Sequence, residues 1–162
     1  MIRLVNLLIG LLVVVLQITL VNLVALFNVK PDLVIIFVVV RGLLDGATGG
    51  VLWGFGLGLL LDALSGGIMG LGSLAYSLAG FISGRIGAEK IPGQVHFFIA
   101  LLLASILSHG LFLYFGQPWK EIGLLSPLLK QYLPGVFYTL ILGVIWMISP
   151  FALFREGKRR GR

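Results

Sequence analysis

Two histidines, six carboxylates, twelve Lys and Arg and no cysteine are the charged and nucleophilic material from which these 162 residues could build chemistry. Without cysteine there is no thiolate nucleophile, disulfide or zinc–thiolate site. Ser108 and His109 are adjacent, but consecutive residues on a helix point about 100° apart, and no Asp or Glu lies close in sequence to orient the imidazole. Two distant histidines do not make a metal site without carboxylates, and a Gly-x-Gly-x-x-Gly nucleotide loop is excluded because the glycines are embedded in hydrophobic helix. No enzymatic activity, catalytic residue, metal or cofactor is expected.

The ionisable groups then have to be weighed one by one. Arg41 and Asp45 are four residues apart, the spacing of a helical ion pair that would order a turn. Asp62 precedes Ser65-Gly66-Gly67, where its carboxylate could accept from turn amides or stand at the mouth of a cavity between helices. His109, beside Ser105 and Ser108, reads as a hydrogen-bonded core histidine with no carboxylate at its depth. His96 is expected to be solvated at the start of a helix.

The elements that must position these groups follow from composition. Hydrophobic residues make up 59% and charged residues 11%, against roughly 25% charged in an ordinary soluble domain. Six charged residues crowd the last eight positions, from Arg155 to Arg162. A water-soluble globule and a disordered chain are both excluded. Leu7–Leu16 and Phe97–Leu107 are continuously apolar or small, unlike the alternation of an outer-membrane barrel strand. The expected fold is all-α: a single polytopic membrane bundle over residues 1–154 with a basic tail at 155–162.

Four spans are drawn directly at Leu4–Phe27, Ile68–Gly84, Val95–Phe115 and Leu133–Phe154. Leu4–Phe27 is too long for a signal-peptide core, which runs roughly 7–15 residues, and no Ala-x-Ala-like site follows it. The stretch from Leu33 to Leu61 would reach about 44 Å as one helix and would bury Arg41 and Asp45 at a cost of roughly 2.5–3.5 kcal/mol each. Two short helices, 31–44 and 47–61, avoid that cost, with Pro31 in the first helical position and Asp32 beside it. Six spans result. Nine cations, including Arg3, Arg41, Arg85, Lys90 and the five in the tail, then face one side, and Lys30, Lys120 and Lys130 the other, so both termini are assigned to the cytoplasm. A five-span arrangement with the N-terminus outside divides the cations eight against three, but buries Arg41. The tail cations suit anionic lipid headgroups better than nucleic acid. The segment from Gly116 to Tyr132 is apolar for a connector and is read as interfacial, with Trp119, Tyr132, Ile122, Leu124, Leu125, Leu128 and Leu129 at the bilayer surface.

Gly42, Gly46, Gly50, Gly54 and Gly58 recur every four residues and would form a slowly winding groove for close helix packing. Small-residue series at Ala75, Ala79 and Ser83, at Gly80 and Gly84, at Ala100, Ala104 and Ser108, and at Gly135, Thr139 and Gly143 extend the theme. The first span has Gly10 as its only glycine and carries Gln17, Thr19 and Asn22, whose polar groups need partners.

Pro31-Asp32-Leu33, Arg41-Gly42, Gly58-Leu59-Leu60-Leu61-Asp62 and Ser65-Gly66-Gly67-Ile68-Met69-Gly70-Leu71-Gly72 together resemble the rod shape-determining protein MreD family. The resemblance implies a non-enzymatic cytoplasmic-membrane subunit of the bacterial cell-elongation machinery that supports peptidoglycan synthesis. Its implied partners are MreC directly and, through the complex, MreB, RodA and a class B penicillin-binding protein; pairing with a second copy in a homodimer is left open. It also implies a bundle similar to the S components of energy-coupling-factor transporters. The motif positions it carries over are Pro31, Asp32, Arg41, Asp62, Gly66 and Gly70. Many relatives have His where Gly72 stands. The alternative function is a small-molecule-binding S-component-like transporter subunit.

Overall fold

The computed structural model describes residues 2–19, 31–66, 68–88, 93–116 and 128–148, and every regular element among them is helical. Helix α1 is Ile2–Thr19, α2 Leu33–Ser65, α3 Leu71–Ile86 and α4 Gly93–Gly116; a π-helical turn, Leu128–Tyr132, runs directly into α5, Leu133–Ile148. The expectations for Asn22, Trp119, Ile122, Leu124, Leu125, the two ends of the outer spans and the basic tail fall outside the described residues.

Asp32, not Pro31, starts α2. Its backbone is extended at φ −105° and ψ 96°, and its Oδ1 accepts a 3.0 Å bond from the Ile35 amide, the geometry of an N-cap. Pro31 therefore precedes the helix instead of occupying its first position, and the side-chain cap explains the difference. The next apolar run, Val34–Val40, is buried at every position. A helix apolar all round belongs in the middle of a bundle. Around it pack Val14 of α1, Tyr76 and Ala79 of α3, and Phe97, Leu101 and Ala104 of α4.

At Gly46 the chain leaves helical geometry, with φ 79° and ψ −178°, a conformation open essentially to glycine alone. The chain reverses there. Phe37 and Trp53 meet edge to face with ring centroids 5.6 Å apart, whereas 16 residues of unbroken helix would separate them by about 24 Å. A Cβ on Gly50 would come within 2.9 Å of the Gly42 Cα, eight residues earlier. Helix α2 is thus a hairpin whose two arms, 33–45 and 47–65, lie side by side in opposite directions. Gly46 accordingly serves as the hinge point: its own Cβ position faces open space, while its backbone is the surface against which Gly84 of α3 packs.

The second arm continues to Ser65, one turn past the expected stop at Leu61, and is closed by Gly66 at φ 67°. Gly70, at φ 94°, is the N-cap of α3. Leu33–Ser65, Gln94–Phe115 and Leu128–Met147 are long and apolar enough to cross a membrane, and Leu4–Thr19 is a shorter apolar helix. For the first of these, chain length overstates reach, because the reversal leaves arms of about 20 and 28 Å.

Arm two and α3 are antiparallel and in strict register. A Cβ placed on Gly58 would strike the Gly72 carbonyl, one on Gly54 the Tyr76 carbonyl, one on Gly50 the Gly80 carbonyl and one on Gly84 the Gly46–Ala47 backbone. Each step of four down one helix is matched by four up the other. Apolar side chains gain little by leaving lipid, so backbone proximity of this kind, with the dispersion contacts it allows, is what holds two membrane helices together. The remaining small-residue series are also turned inward: Ala75, Ala79, Ser83, Ala100, Ala104, Ser108 and Thr139 are fully buried.

Candidate functional site

Three clusters use the polar residues. At the start of α2, Asp32 bonds α3 and α5, and its two chain neighbours bond α1. Its Oδ2 accepts from the Tyr76 hydroxyl of α3 at 2.8 Å, and its amide donates to Thr139 Oγ1 of α5 at 3.1 Å. Thr139 in turn donates to the Gly135 carbonyl at 2.9 Å. On either side of Asp32, Gln17 of α1 donates from Nε2 to the Pro31 carbonyl at 3.0 Å and accepts from the Leu33 amide at 2.8 Å, so its side-chain amide pairs with the chain as another strand would. Asp32 and Thr139 are buried. Nδ1 of His109, on α4, bonds the Ser105 carbonyl at 3.0 Å.

The second cluster is built on Asp62. Its carboxylate accepts from the amides of Gly70, Gly72 and Ser73 at 2.9, 3.0 and 3.2 Å, with the Ser73 hydroxyl at 3.5 Å. These are the orphan donors of the first turn of α3, and Gly70 at the N-cap position has no side chain to satisfy them. The carboxylate therefore caps α3 from the neighbouring arm, further along the chain than the Ser65-Gly66-Gly67 turn. A Cβ on Gly72 would overlap Asp62 Oδ1, so this position has no room for a side chain without displacing the cap. Ser73, held by Asp62, and Tyr76, held by Asp32, are three residues apart on α3, so these two clusters adjoin.

The third cluster stands at the hairpin reversal. Arg41 pairs with Asp45, as their spacing predicts, and Asp45 Oδ2 also accepts from Trp53 Nε1 of arm two at 3.1 Å. The Arg41 guanidinium lies 5.5 Å from the centroid of the Trp53 ring, a cation–π contact. This triad ties the end of arm one to arm two across Gly46. Arg41 is separated from Asp32 by nine residues of helix, about 14 Å, so the motif residues do not converge on one pocket. Gly66 and Gly70 are explained by their left-handed φ, which a side chain tolerates poorly.

Some participants escape a reading by residue type. Tyr76 sits inside an Ala and Gly series, and the useful signal was that a buried Tyr hydroxyl needs a partner. Trp53 gives no local sign of its bond to Asp45. His96, expected to be solvated, is buried at 5% exposure. Ser108 donates to the Ala75 carbonyl at 3.4 Å while His109 bonds Ser105, so the adjacent pair is engaged with different partners.

A bundle of apolar helices with large aliphatic side chains on its outside, Leu8 and Leu52 among them, and with the described carboxylates Asp32, Asp45 and Asp62 spent on helix ends and a hairpin turn defines a helical membrane protein. Residues 1–116 match the family model described as rod shape-determining protein MreD, which takes in α1 to α4 and all three clusters apart from Thr139. The chain belongs to the MreD family, a membrane family of shape-determining proteins. No curated protein and no solved structure matches it.

Proposed function

We propose that this protein is a non-enzymatic subunit of the rod complex, an integrating element that binds an MreC-like single-pass partner in the bacterial cytoplasmic membrane and so supports peptidoglycan synthesis during elongation. MreB, RodA and a class B penicillin-binding protein are reached indirectly, through that partner. The observation that carries the reading beyond family membership is the use of Asp32 and Asp62. Both carboxylates, the best candidates for gripping a soluble ligand, are engaged by helix amides and by Tyr76. Their chemistry serves the shape of the bundle.

The reversal at Gly46 supports counting the arms of α2 as two spans, hence six in all with both termini in the cytoplasm. It also suits a bundle of the S-component kind. Reporter fusions at each terminus test the topology: activity of an N-terminal reporter only outside the membrane overturns it. The function is tested by isolating the tagged full-length protein in mild detergent and by depleting it from rod-shaped cells. Co-isolation of the MreC-like protein and rounding of depleted cells are expected. Stabilisation by one vitamin, with no such partner and unchanged shape, would instead favour a transporter subunit.

A further inference from the structure

We draw no further inference here: the strongest candidate, the open apolar groove between α1 and the second arm of α2 lined by Leu7, Leu11, Leu52, Gly56 and Leu60, carries nothing further, because nothing in the structure shows what covers it.

Discussion

Gly50 and Gly80 lie backbone against backbone: a Cβ added to either would overlap the carbonyl group of the other. This contact is the middle rung of a ladder that also joins Gly54 to Tyr76 and Gly58 to Gly72. The four-residue glycine series on arm two is therefore a statement about the distance between two helices. It is arm two of the hairpin that these glycines bring against α3, and the same register delivers Asp62 to the amides it caps.

Gly80→Ala should be costly for that reason. The obstructing atoms are main chain and cannot rotate away, so the helices must separate, and overpacking of this kind costs roughly 1–3 kcal/mol or more. Gly56→Ala, on the open face of the same arm, should be neutral or slightly stabilising, since alanine is favoured over glycine in a helix by about 1 kcal/mol. Thermal unfolding of the two variants in detergent compares them. Equal melting temperatures would remove the ladder from the account.

Gly46→Ala tests the reversal. A left-handed φ with an extended ψ costs a residue bearing Cβ about 1–3 kcal/mol, although there is free space around the site. The loss should therefore arise from backbone conformation alone, and Gly46→Asn should lose no less than Ala because its side chain favours a different left-handed region. If Ala were tolerated without change in unfolding free energy, the two arms would have to join by another geometry.

Asp62→Ala leaves three amides of α3 without an acceptor in an apolar setting. Loss of an N-cap costs about 0.5–2 kcal/mol, and unsatisfied buried donors add about 1–3 kcal/mol. Asp62→Asn keeps one acceptor oxygen and should lose less. Hydrogen exchange at Gly72 and Ser73 is the local readout: faster exchange confined to the start of α3 is expected, and unchanged exchange there would sink the capping role.

What could be read from the sequence alone was whatever is local. The apolar runs marked out helices, the i,i+4 spacing of Arg41 and Asp45 forecast their ion pair, and the four-residue glycine period forecast a close approach between helices without naming the helix opposite. The cost of burying Arg41 was enough to break residues 33–61 into two helices, and the reversal at Gly46 lies between the arms drawn on that ground. The rest depends on residues far apart in the chain. Asp32 and Thr139 are 107 positions apart and Asp32 and Tyr76 are 44 apart, and no periodicity links them. Asp62 was legible as a capping carboxylate but not as the cap of the next helix, because its spacing to Ser73 acquires meaning only after the turn at Gly66 and Gly70 has folded. His96 was misjudged for a related reason: its place at a helix start says nothing about what packs over it.

The bond between Tyr76 and Asp32 should carry more of the bundle's stability than its single hydroxyl suggests. Tyr76→Phe preserves the ring, which lies 6.1 Å from that of Phe112, and removes only the donor to Oδ2. A buried carboxylate oxygen left unpaired costs about 1–3 kcal/mol. Asp32→Asn keeps an N-cap residue but changes the oxygen that Tyr76 faces, so the two substitutions remove one interaction between them. Their effects should then be non-additive, with a coupling energy of about 0.5–3 kcal/mol in a double-mutant cycle on unfolding. Thr139→Val supplies the control. It breaks the bond to the Asp32 amide on the opposite side of the residue, at about 0.5–1.5 kcal/mol, and should add to Tyr76→Phe more nearly than Asp32→Asn does. Full additivity between Tyr76→Phe and Asp32→Asn would mean that α3 is held to the start of α2 by packing alone.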